Sequence, residues 1–354
     1  MPPTLSKGWR MTNPNALATG VGSLPYPNPQ DALRLILSTF PEIPFWPQLP
    51  RRDFRENMYA QFSENLVATQ LDMPNEIISA VIDDTLLTQV EAFYARYLTQ
   101  DPGLFAVSAD YAAGLYALRD QRNALKSAQW IKGQVTGPIS FGLKVVDQNL
   151  RPTLYDDTLR DVLVKHVARQ AQWQENFLAE LGTPLMFVDE PSLSLIGASV
   201  VALNRDEVIR DLEEVFSAIK GLKGTHCCGN TDWSMLLATS VNLISFDAYN
   251  YAENLALFAD DVKRFLNRGG ILAWGIVPTV TEQIMSESIT SLTARLDDAI
   301  GLLVKKGIDR DMLYAQALIT PACGLGTLSI PVAERAFALT QGISKQIRAR
   351  EKFA

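Results

Sequence analysis

The sequence predicts an α/β fold, a single (β/α)8 TIM barrel spanning residues 1–354 with a helical insertion after the second strand. Three observations lead there. Short apolar runs alternate with longer helical patterns, which is the signature of βα units and a parallel sheet. Eight such runs can be counted. The residues with unusual chemistry fall at the C-terminal ends of these runs, where a barrel carries its working loops.

The expected strands are 17–22, 43–48, 129–136, 184–189, 223–228, 242–247, 271–276 and 313–319. The first ends in Gly20-Val21-Gly22-Ser23-Leu24-Pro25 and the third in Thr136-Gly137-Pro138. The fourth ends in Asp189-Glu190-Pro191, the fifth in His226-Cys227-Cys228, the sixth in Asp247 and the eighth in Pro321-Ala322-Cys323-Gly324. Between them, residues 205–220 give the clearest helix, with Val208, Ile209, Leu212, Val215, Phe216 and Ile219 at helical spacing. Asn204 is positioned to cap it, with Glu207 three residues on. Residues 51–126 are too many for one loop and read as several inserted helices. An open doubly wound sheet is the alternative arrangement.

A chain of 354 residues, 47% of them hydrophobic, can bury a large core. The net charge is −7 and no long basic run occurs, which argues against a nucleic-acid partner. No apolar run reaches the roughly 18 to 20 residues of a membrane helix. The amino-terminal stretch MPPTLSKGWRMTNPNAL lacks the apolar region of a secretory leader. Three cysteines in so long a chain do not make a disulfide framework, so a reducing cytoplasm is expected.

Those cysteines carry the chemistry. At a strand end, residues i and i+2 point to the same side, so His226 and Cys228 can reach one ion together. Cys323, at the end of the last strand, faces the same mouth of a closed barrel and can supply a third ligand. Three protein ligands plus an exchangeable position describe a catalytic zinc, with a carboxylate or the substrate completing the shell. Cys227 alternates away and reads as a small buried hydrophobe. His166, within the helical pattern 163–172, reads as a packing residue.

The order VGSLP, TGP, DEP, H-x-C and PxCGL resembles the catalytic barrel of the cobalamin-independent methionine synthases over residues 17–341. That family is grouped with the uroporphyrinogen decarboxylase-like barrels and the corrinoid-dependent methyltransferases. The resemblance implies zinc on His226, Cys228 and Cys323. It also implies that the Val21-Gly22-Ser23 backbone and the Asp189 carboxylate hold the amino-acid end of homocysteine, the thiol methylated to methionine.

The chain departs from that pattern in several ways. It has room for one barrel, whereas the full-length enzymes have two. Where the family has a glutamate ligand after the sixth strand, this chain has Asp247, a shorter candidate for the fourth ligand. The family's acidic substrate contact after the second strand finds no clean match around Pro50-Arg51-Arg52-Asp53. The family's histidine-containing loop after the seventh strand is replaced by Ala273-Trp274-Gly275-Ile276-Val277-Pro278-Thr279, which has no histidine. A methyl on a folate nitrogen needs that nitrogen protonated before it can leave, whereas methylcobalamin needs no such proton. The missing acid therefore favours methylcobalamin, carried on a separate corrinoid protein, as methyl donor. The competing readings are methylation of another thiol such as coenzyme M, a uroporphyrinogen-type decarboxylase, and a non-enzymatic metal-binding or corrinoid-docking barrel.

Overall fold

The computed structural model describes residues 12–196, 201 and 203–353. The segment 1–11, which holds most of the stretch read above for a leader, lies outside the described residues. The strands, in chain order, are β1 Leu17–Ala18, β2 Thr69–Asp72, β3 Ile77–Ala80, β4 Ile131–Thr136, β5 Pro184–Asp189, β6 Leu222–Cys227, β7 Leu243–Phe246, β8 Ile271–Val277 and β9 Ala317–Pro321. Seven of them form one sheet in the order β1-β9-β8-β7-β6-β5-β4, and every pairing in it is parallel.

The eight regular strands expected from the sequence are thus seven. The segment 43–48 makes only single parallel bridges, Phe45 to Lys132 on β4 and Ser23 to Gln48 just beyond β1. Its two prolines, Pro44 and Pro47, lack the N–H that a continuous ladder requires. Even so, the segment touches both edge strands of the sheet. Leu17, Leu185, Phe187, Leu222, Leu243, Ile271, Ala273 and Leu318 meet Ile43 and Trp130 in one buried cluster. Side chains from opposite edges can meet in this way only if the sheet curls round on itself. A second and larger apolar cluster joins the sheet to its helices.

Two further expectations are corrected. Residues 313–316 are not strand, because Arg310–Ala315 is a helix whose first turn is capped by Asp309, with Met312 N–H donating to Asp309 Oδ1 at 2.7 Å. The inserted segment 51–126 contains helices, Leu86–Leu98 and Ala113–Asp120 among them, but also the antiparallel hairpin β2–β3.

The helix Arg205–Ala218 buries Val208, Leu212, Val215 and Phe216, as its spacing dictates. Asn204 accepts from the N–H groups of Asp206 and Glu207, a cap that contributes about 1 kcal/mol. The Glu207 carboxylate does not close the box. It takes Arg160, which also grips the buried Asp211, both at 2.6 Å. His166, on the helix Asp157–Ala179, is fully buried, with Nε2 3.0 Å from the Phe62 carbonyl and its ring beside Phe93 and Phe105. Burial lowers its pKa to about 4, so it is a neutral packing residue at physiological pH. Among the described residues, no helix is long and apolar enough to cross a membrane.

Candidate metal centre

The parallel pairing carries four of the candidate residues to one rim. Asp189 is the last residue of β5 and pairs in register with His226 on β6. His226 pairs in turn with Ser245 on β7. Cys228 follows the end of β6 and Cys323 follows the end of β9. The ligand atoms of His226, Cys228 and Cys323 all lie within 4.8 Å of one another. Among the described residues this is the group of His, Cys, Asp and Glu side chains whose geometry could hold a metal ion.

Several features of the cluster suit an ion. His226 Nδ1 lies 2.9 Å from Ser245 Oγ, while the buried Nε2 has no hydrogen-bond partner. In the tautomer that donates Nδ1–H to Ser245, Nε2 presents a lone pair. The Cys228 thiol is held well below its ordinary pKa, first by a hydrogen bond with Cys323 and then by His226. The nearness of Cys228 in turn pushes the Cys323 thiol up. One imidazole nitrogen and two sulfurs form a donor set that zinc accepts readily. Cys227 points the other way. It is fully buried, donates to the Gly229 carbonyl at 3.6 Å, and burial pushes its thiol to about 12.

Asp247 is not brought into this group. It caps the helix Ala248–Ala256, and Asn250 takes both of its oxygens, through its backbone N–H at 3.0 Å and its side-chain amide at 2.7 Å. Burial raises its carboxyl, and the Cys228 charge adds to that.

Beside the cluster is a second set of polar groups. Asp189 is buried, and its Oδ1 has no partner. Desolvation raises its pKa, while the charge of Lys132 pulls it back. Val21, Gly22 and Ser23 lie beyond the short β1. The Gly22 and Ser23 N–H groups make no hydrogen bond to a described residue. A Cβ at Gly22 would stand 2.8 Å from Gln48 Oε1, so any larger residue there would displace the end of the Gln48 side chain. Ser23 packs against the loop that carries Cys323, its carbonyl accepting from Leu325 N–H at 2.9 Å and its Oγ from Gly326 N–H at 3.3 Å.

Glu190 is fully buried and turned away from this space. Its carboxylate accepts from Ile139 N–H, Ser140 N–H and Ser140 Oγ, which ties the DEP loop to the TGP loop. The acidic contact missing around residue 53 is not restored by nearby Glu56. That side chain is fully buried, paired with Arg52 at 2.6 Å and bonded to Leu49 N–H.

Two residues of this region escaped the sequence reading, Ser245 and Lys132. Each is a polar side chain in a parallel strand, a class of strand that normally reads as a continuous apolar run. That break in pattern was the available signal. Ser245 also shares its strand face with Asp247, two residues on. Substituting Ser245 with alanine is expected to lower zinc affinity by about 10- to 100-fold, the usual effect of losing the partner that orients a ligating histidine. Competition with a chelator of known affinity measures this, and an unchanged affinity would detach Ser245 from the centre.

No family model matches the chain, and no curated protein matches it by sequence. Its fold is similar to that of a B12-independent methionine synthase from Shewanella sp. W3-18-1, solved in complex with selenomethionine. The TM-score is 0.59 at 16% identity, over 96% of this chain and 99% of that one. The fold is also similar to that of a methyltransferase from Methanosarcina mazei, with a TM-score of 0.54 at 14% identity over 92% of this chain and 93% of that one. At such identities the likeness establishes the fold.

Proposed function

We propose that this protein is a zinc-dependent methyltransferase that converts homocysteine to methionine, with a methylated corrinoid protein as donor. The observation that carries the reading is the convergence of His226, Cys228 and Cys323 within 4.8 Å at the C-terminal rim of the parallel strands. A uroporphyrinogen-type decarboxylation needs no such ligand set. The selenomethionine bound in the Shewanella enzyme of like fold supports an amino-acid substrate.

A zinc ion held by these three residues would lower the pKa of a substrate thiol, so that the thiolate, the reactive nucleophile, is present at neutral pH. The remaining work falls to the chain. Ser245 fixes the His226 ring. Asp189 offers a buried, partnerless carboxylate oxygen to the substrate ammonium. The free Gly22 and Ser23 N–H groups are suited to the substrate carboxylate. Held by the ammonium and carboxylate on its α-carbon, the substrate would be left to present its thiol to the zinc. Asp247, occupied by Asn250, serves in this reading as a helix cap beside the centre, and a zinc held by the other three residues would leave a position for the substrate sulfur.

The experiment is to supply zinc-loaded protein with homocysteine and each donor and to look for methionine. Methylation of coenzyme M in preference to homocysteine would shift the assignment to another thiol. A substitution isolates the amino-acid contact. Asp189→Asn is expected to weaken homocysteine binding by about 1.5 to 3 kcal/mol, roughly 10- to 150-fold, while leaving zinc content unchanged. Calorimetric titration reads the affinity and elemental analysis the zinc, and an unchanged affinity would remove Asp189 from the site.

A further inference from the structure

The floor of the site holds a charge that the mechanism above does not use. Lys132 lies on β4 and is 2% exposed. Its ammonium donates to the Val21 carbonyl, stands 3.3 Å from Gln134 Oε1, and lies 4.7 Å from the centre of the Phe187 ring. Among the described residues, no carboxylate comes within salt-bridge distance of it. Lys132 lines a small cavity together with Thr19, Val21, Asp189, His226 and Ser245.

Burying an ammonium is costly, and an apolar residue of similar length usually gives a core of equal or greater stability. The retained charge therefore calls for a role outside packing. Its position supplies one. The carbonyl it holds belongs to the residue just before Gly22 and Ser23, whose N–H groups make no hydrogen bond to a described residue. Across the cavity stands Asp189, with its partnerless oxygen.

We propose that Lys132 is a positioning residue that makes the site specific for thiols bearing an α-amino-acid end. By anchoring Val21 it fixes the direction of the Gly22 and Ser23 N–H groups. Its charge also balances Asp189 while the site is empty of substrate. The assignment rests on the amino-acid thiol reading given above.

The test compares two probes by calorimetry on the zinc-loaded protein, methionine and 1-propanethiol, in wild type, Lys132→Met and Lys132→Gln. Zinc content and melting temperature are measured alongside. K132M is expected to lose about tenfold or more in methionine affinity, and K132Q, which keeps a donor for the Val21 carbonyl, less than that. Propanethiol affinity and zinc content should stay within about twofold of wild type. A general loosening of the floor would weaken both probes in parallel, and that outcome overturns the assignment. Methionine affinity equal to wild type in K132M overturns it too. Should K132M fail to fold, K132Q decides by the same comparison. A wild-type protein that binds propanethiol but not methionine refutes the amino-acid reading itself, and this assignment with it.

Discussion

Replacing Cys228 or Cys323 by serine is expected to reduce zinc from about one ion per chain to a trace and to abolish thiol methylation. Each variant leaves two protein ligands, below the three that a catalytic zinc ordinarily keeps. The rate effect has two parts. A thiol of pKa about 8.5 is only roughly 3% thiolate at pH 7, so lost activation alone costs about 30-fold. Lost positioning adds to this, and a combined fall on the order of 1000-fold or more is expected. Cys227→Ser serves as the control. Its side chain lies on the opposite face, in the apolar layer between sheet and helices, so it should keep its metal even if it loses some stability. Elemental analysis of the three purified variants decides the matter. Full zinc in both the Cys228 and Cys323 variants would dismantle the proposed centre.

The second large effect concerns the donor. Methionine formation from methylcobalamin, free or protein-bound, should exceed that from methyltetrahydrofolate by about 100-fold or more, the lower end of what general acid catalysis supplies. A folate donor must be protonated as its methyl departs, and among the described residues no histidine is free for that task. Residues 271–278 are buried, and the Trp274 ring packs on Phe246 at 5.2 Å. His226 belongs to the group that could hold a metal ion, and His166 is sealed among aromatic rings. Tyr59 feels the charges of Cys228 and Glu190, but burial raises its phenol, which makes it a poor acid at neutral pH. The measurement is methionine formed from each donor at matched concentration under anaerobic conditions. Equal or faster turnover with the folate would refute the corrinoid donor and leave the thiol half of the reading standing.

The grouping of His226, Cys228 and Cys323 was readable from the sequence because its signals are discrete. With three cysteines and two histidines in the chain, strand alternation alone separates Cys228 from Cys227. Pairing with Cys323 required only that the strands share one mouth. The supporting groups were harder to read. Ser245 and Lys132 are single polar residues in strands, and their roles depend on which strands become neighbours. Asp247 shows the converse problem. Its placement at a strand end suits a ligand, but Asn250, three residues on, claims it as a helix cap, an ordinary use of aspartate that a motif-led reading passes over. The second strand failed for a local reason that was visible in advance, since Pro44 and Pro47 interrupt the run. The hairpin β2–β3 lies in a segment whose length was legible but whose strand pairing was not.

The closeness of Cys228 and Cys323, whose sulfurs lie within 4.8 Å of each other, also bears on how the protein must be handled. Without an ion between them, two neighbouring thiols can surrender two electrons and two protons to dissolved oxygen or peroxide and become a disulfide. That product has no lone thiolates left for zinc. Oxidant and metal therefore compete for the same pair of sulfurs, and whichever arrives first excludes the other. A folded, inactive preparation from which only Cys227 remains titratable by a thiol reagent after unfolding would reveal oxidation of this pair. Reductant followed by zinc should then restore it.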